Sequence, residues 1–119
     1  MRAETQSIVA AIEESLALLR RRLDWETAPS RLEEFDARAE DPTLWDDPAN
    51  AQKIMRERQQ LSDAMDRYRA LESGLADNVE LIGMGEAEGD TDVIEEAEAA
   101  LADVKARAET AELEALLSG

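Results

Sequence analysis

The sequence predicts an all-α fold: an antiparallel helical bundle built on a long coiled-coil-like helical hairpin, with an N-terminal helix and a short connecting helix added. Three observations carry this expectation. Apolar residues make up 44% of the chain but aromatics only 3%, so the apolar content is mostly Ala and Leu, which together with many Glu and Arg suits long helices packed side by side. Five glycines and three prolines give too little turn material for an all-β fold. Apolar residues also recur every seven positions from Ile54 to Ile82, the repeat of a coiled-coil seam. At 119 residues the chain is long enough to bury its own core, and residues 1–119 read as one helical domain.

The elements follow in order. Residues 3–23 form an amphipathic helix, because Ile8, Ile12, Leu16, Leu19 and Leu23 recur at spacings of four, four, three and four. Arg20, Arg21 and Arg22 fall in its last turn, where positive charge suits the helix dipole better than it argues for an RNA contact. A short helix is expected from about Ser30 to Ala39, with Ser30 and Glu33 at capping-box spacing and Asp41-Pro42 as its stop. Trp25, Phe35 and Trp45 cluster in this proline-rich stretch and read as a satellite core rather than an exposed docking surface. Asp47 can cap the next helix and Pro48 can open it. Ile54, Leu61, Tyr68, Leu75 and Ile82 form its stripe, widened by Ala51, Ala64, Met65, Leu71 and Val79, so the helix is expected to reach about Ile82. Gly83, Gly85 and Gly89 then read as a flexible acidic connection. A last helix starts near Asp90 to Asp92, with Asp92 and Glu95 at capping spacing. Ala97, Leu101, Val104, Ala108 and Ala111 form its stripe, continued by Leu116 and Leu117.

Charge restricts the partners. The formal net charge is −16, and residues 70–119 carry 14 acids against only Lys105 and Arg107. So acidic a surface repels phosphate backbones and favours a basic protein, and direct DNA binding is not expected. There is no cysteine and no histidine, which removes thiolate chemistry, the usual general base and the commonest metal ligand. None of the serines therefore has a base to activate it. Gly83-Met84-Gly85 lacks a following Lys to hold a phosphate. Counted from Asp90 as a calcium loop, the sixth and twelfth places hold Glu95 and Leu101 instead of Gly and Glu. The carboxylate pairs Glu13-Glu14, Glu33-Glu34 and Glu95-Glu96 sit at adjacent positions that do not face each other on a helix. No enzyme activity, catalytic residue, cofactor or metal site is expected. No stretch approaches the ~18 apolar residues of a membrane span, and no signal pattern opens the chain, so the cytoplasm is the expected compartment.

The segment Asp41-Pro42-Thr43-Leu44-Trp45-Asp46-Asp47-Pro48-Ala49-Asn50-Ala51-Gln52 resembles the signature of the bacterial peptide chain release factor 2 family. There an Asp-Pro-x-x-Trp element precedes an acidic-proline turn and an Ala-Gln pair, matched here by Asp41, Pro42, Trp45, Pro48, Ala51 and Gln52. Arg31-Leu32-Glu33-Glu34, Arg56-Glu57-Arg58 and Leu23-Asp24 resemble the family as well. The resemblance covers nearly the whole chain and is most specific over residues 41–58. Full members are much longer and carry a Ser-Pro-Phe tripeptide for the stop codon and a Gly-Gly-Gln loop for peptidyl-tRNA hydrolysis. Neither occurs here, so the chain is expected to be the family's first domain alone, ending near Ser118-Gly119. For the whole factor the resemblance implies termination at UAA and UGA. For this domain it implies a ribosome-binding helical module that meets the stalk base, with a class II release factor GTPase as a further partner. The rival expectation is a free-standing coiled coil that dimerises through the stripe from Ile54 to Ile82.

Overall fold

In the computed structural model, which describes residues 1–117, four α-helices follow one another and no strand occurs among the described residues. The expected end of the domain at Ser118-Gly119 lies outside the described residues. The helices are α1 (Ala3–Leu23), α2 (Ala28–Ala39), α3 (Pro48–Glu88) and α4 (Thr91–Leu117), with a 3₁₀ turn at Leu44–Asp46 before α3. The all-α hairpin architecture expected from the sequence is present.

α3 is the spine. At about 1.5 Å per residue its 41 residues span roughly 60 Å, in keeping with the longest molecular dimension of 63 Å. Arg67 pairs with Glu114, Gly74 approaches Val104, and Gly85 approaches Ile94, so α4 runs antiparallel to α3. Thr5 bonds Glu98 and Arg22 bonds Ala115, so α1 runs parallel to α4. These three helices enclose one core of Ile12, Leu16, Tyr68, Leu71, Ile82, Leu101 and Val104, closed by Ala97, Ala108 and Ala111. The small alanines on α4 let it pack closely against its neighbours. α2 and the 3₁₀ turn cover the first half of α3, where Ala28, Leu61 and Met65 form one cluster and Leu44, Ala51 and Ile54 another, with Phe35 against both. The heptad stripe of α3 is thereby covered from within the chain. A dimer through Ile54 to Ile82 has no free stripe to use, which removes the surface the rival coiled-coil reading needed.

Several element ends differ from the sequence reading, each for a local reason. α2 begins at Ala28, not Ser30, and its N-cap Thr27 makes no capping bond. Thr27 Oγ1 instead donates to Asp24 Oδ2 at 2.7 Å, and Pro29, with φ already set for a helix, lets the turn start earlier. Ser30 and Glu33 therefore lie inside the helix and form no box. α3 runs through Gly83 and Gly85 to Glu88 instead of ending near Ile82. Only Gly89 breaks it: its φ of +68 is a left-handed cap, and Asp90 N–H donates back to Gly85 O at 2.8 Å. The connection expected over Gly83 to Gly89 shrinks to Gly89 and Asp90. Asp90, not Asp92, then caps α4 by accepting from Val93 N–H at 3.2 Å. Leu116 and Leu117 do not continue the α4 stripe: they are 62% and 86% exposed. The cap at Asp47 is as expected, with its carboxylate accepting from Asn50 N–H at 3.2 Å. α1 ends on Asp24 at φ +54, a left-handed conformation that Asp tolerates better than most residues.

Candidate protein-docking surface

Among the described residues no group of three or more His, Cys, Asp or Glu is placed to hold a metal ion, and no helix is long and apolar enough to cross a membrane. An open groove of about 670 Å³ lies between α1, α3 and α4, lined by Leu19, Leu23, Tyr68 and Ala111 among others, with Arg67 paired to Glu114 beside it. It gathers no set of unpaired polar groups.

The outer surface is divided along the rod. No Lys or Arg occurs between Arg69 and Lys105, so every charged side chain that α3 and α4 contribute to the distal half of the hairpin is a carboxylate. Glu80, Glu86, Glu88, Asp92, Glu95 and Glu96 are exposed there, beside Leu81 and Met84 at 41% and 53% exposure. The helical period puts apolar and acidic side chains on one accessible tip. The positive charge that reaches this half comes from the two residues before α1: the Met1 amino group bonds Glu86 at 2.5 Å, and Arg2 Nε bonds Glu98 at 2.9 Å.

Glu98 is the node that ties α1 to α4. Its Oε2 accepts from buried Thr5 Oγ1 at 2.5 Å as well as from Arg2. The Thr5 and Arg2 hydrogen bonds hold its carboxyl below the ordinary glutamate range. The sequence reading missed this node. The signal was Thr5 itself, a polar residue on the stripe of Ile8 and Ile12 that needs a bonding partner once buried. Because the native pKa is depressed, the stabilisation from Glu98 is full above the unfolded pKa and fades as pH falls through the lower native value. The stability difference between wild type and Glu98→Gln is therefore expected to be largest near neutrality and to shrink in acid, read from denaturation midpoints at several pH values. A difference that stays constant with pH would contradict the assignment. The comparison must be differential, since acid also relieves repulsion among the other carboxylates.

The proximal half holds the arginines. Arg20 pairs with Glu26 at 2.8 Å, and that bond raises its pKa. Arg22 reaches Ala115 O at the end of α4, and Arg31 donates to Leu23 O at the end of α1. Arg20, Arg22 and Arg31 thus act on helix ends and inter-helix contacts, while Arg21 is exposed and makes no ion pair among the described residues. The three aromatics part company. Trp25 packs on Tyr68 with ring centroids 4.5 Å apart and lies under Arg69 at 5.1 Å. Phe35 is half-buried between the two α2-side clusters. Trp45 is 56% exposed, so the satellite core expected of all three holds for Trp25 and Phe35 only.

The family model described as the PCRF domain matches residues 28–119. Peptide chain release factor 2 of a Ruegeria species is 60% identical over all 119 residues, and that of Roseobacter denitrificans is 57% identical over the same span. The release factor 2 of Paramagnetospirillum magneticum is 52% identical, again along the whole chain. The chain spans 32% of the length of each of these relatives. The motif from Asp41 to Gln52 falls inside the matched region and forms the turn and first helical residues that seat α3. With that turn, the helical hairpin and the family match in agreement, this chain belongs to the PCRF domain family, among sequences of the peptide chain release factor 2 kind.

Proposed function

We propose that this chain is the ribosome-docking helical module of a cytoplasmic translation termination factor, one that in full length directs peptide release at UAA and UGA. The module contributes placement rather than catalysis. The observation that carries the reading is the distal hairpin, where both helices carry exposed carboxylates, Leu81 and Met84 are exposed on α3, and no Lys or Arg occurs between residues 69 and 105. Such a surface is complementary to a basic ribosomal protein and repels ribosomal RNA, so a protein of the stalk base is the favoured contact. The similarity to release factor 2 sequences supports the ribosome as the setting. A rigid rod 63 Å long suits reaching a partner away from a catalytic centre.

The test is co-sedimentation of the chain with large ribosomal subunits at two ionic strengths. Binding is expected at about 0.05 M salt and is expected to fall by an order of magnitude at about 0.3 M, where screening shortens the reach of surface charges. Glu95→Gln with Glu96→Gln is expected to weaken binding at low salt and leave the fold intact, since both side chains are exposed. No binding at low salt, or binding unchanged at high salt, would sink the proposal.

A further inference from the structure

The end of the rod opposite the hairpin tip carries a second feature that the fold does not use. Trp45 is 56% exposed, although its neighbour Leu44 is 9% exposed and packs with Ala51 and Ile54 under Phe35. The ring of Trp45 makes no aromatic or cation–π contact among the described residues, in contrast to Trp25. Its exposure does not come from a slack loop. Asp41 Oδ1 accepts from Thr43 N–H at 2.9 Å and from Thr43 Oγ1 at 2.8 Å, and these bonds hold its carboxyl below the usual carboxylate range. Leu44 N–H donates to Asp41 O, Asp46 N–H donates to Thr43 O, and Asp47 caps α3. The backbone on both sides of Trp45 is pinned, so the indole is held out in solvent by a rigid turn. A large aromatic fixed in this way can bury its face against a partner with little further loss of conformational freedom.

The surroundings specify what the partner carries. Glu40, Asp41, Asp46 and Asp47 flank Trp45 along the chain, and no Lys or Arg occurs between Arg38 and Lys53. Glu40 and Asp46 form no ion pair among the described residues. An exposed indole in so acidic a stretch of chain attracts a Lys or Arg side chain by cation–π and charge attraction together, and the stretch repels phosphate. We propose that the turn from Asp41 to Asp47 is a docking site for a Lys- or Arg-bearing protein segment, with Trp45 as its aromatic anchor. This deepens the reading of the chain as a docking module and rests on it. The site lies at the start of α3 and the acidic tip at its end, roughly 60 Å away, so the two are separate contacts.

The test labels the intact chain with 5-fluorotryptophan and follows both indoles by fluorine NMR, with Trp45→Phe to assign the two signals. The probe is a deca-arginine peptide, titrated alongside protein-free ribosomal RNA. Saturable movement of the Trp45 signal with the peptide, while Trp25 stays still, is the expected result. Glu40→Gln with Asp46→Asn is expected to weaken that response by about tenfold, and neither exposed side chain bonds within the fold. A Trp45 signal that does not move, or that moves only as Trp25 does, overturns the site. Movement with ribosomal RNA overturns the choice of a protein partner. The titration contains no ribosome, so its failure leaves subunit binding standing, and failure of subunit binding leaves the titration to be read by itself.

Discussion

Replacing Leu101 with alanine is expected to destabilise the bundle by about 2–5 kcal/mol. Leu101 is 0% exposed and sits in the middle of α4, among core residues contributed by α1 and α3. Removing its branched end forfeits the transfer energy of the lost carbons and leaves a cavity that three long helices cannot close without shifting together. Small domains hold only about 5–15 kcal/mol in total, so this one change removes a large fraction. The control is Leu113→Ala on the same helix. Leu113 is 61% exposed, and its truncation is expected to cost no more than about 0.5 kcal/mol. Urea titration of both variants measures the difference. The assignment of the α4 core face fails if the two midpoints move equally, and a changed slope would point to altered compactness instead.

Leu101 was legible in the sequence, and so was most of what surrounds it. A stripe repeating at three and four residues has one structural meaning over this length, which is why α1 ends where its pattern ends and why the α3 and α4 stripes are the buried faces. The carboxylate surface was legible for the same kind of reason, since a run without Lys or Arg stays acidic however it is folded. What was not legible depends on contacts between elements. Ser30 has capping spacing, but the start of α2 was decided by Thr27 bonding back to Asp24. Glu98 shows no special spacing, and its bonds come from Arg2 and Thr5 on another helix. Trp45 belongs to a recognisable motif, yet spacing cannot say which of Leu44 and Trp45 turns inward. The turn admits one of them, and the smaller Leu44 fills the space beside Ala51 and Ile54.

The glycines supply the sharpest contrast between sequence and structure, and the second large effect. As a flexible loop, Gly83 and Gly85 would each tolerate alanine alike. Both lie inside α3, where alanine in place of glycine is worth up to about 1 kcal/mol in helix propensity. A Cβ at Gly83 meets nothing within 4 Å, so Gly83→Ala is expected to gain that stabilisation. A Cβ at Gly85 would lie 2.8 Å from Ile94 Cγ1 and 3.2 Å from Asp90 O. Neither contact yields cheaply: Cγ1 sits next to the branch point of half-buried Ile94, and Asp90 O is backbone, held by the 2.8 Å bond from Asp90 N–H to Gly85 O that closes the hairpin. Overpacking of this kind costs about 1–3 kcal/mol. The propensity gain is common to both variants and cancels in their comparison. Gly83→Ala and Gly85→Ala are therefore expected to separate by about 1–3 kcal/mol in denaturant titrations, with Gly85→Ala the less stable. Equal midpoints would mean that α4 does not approach α3 this closely at the tip.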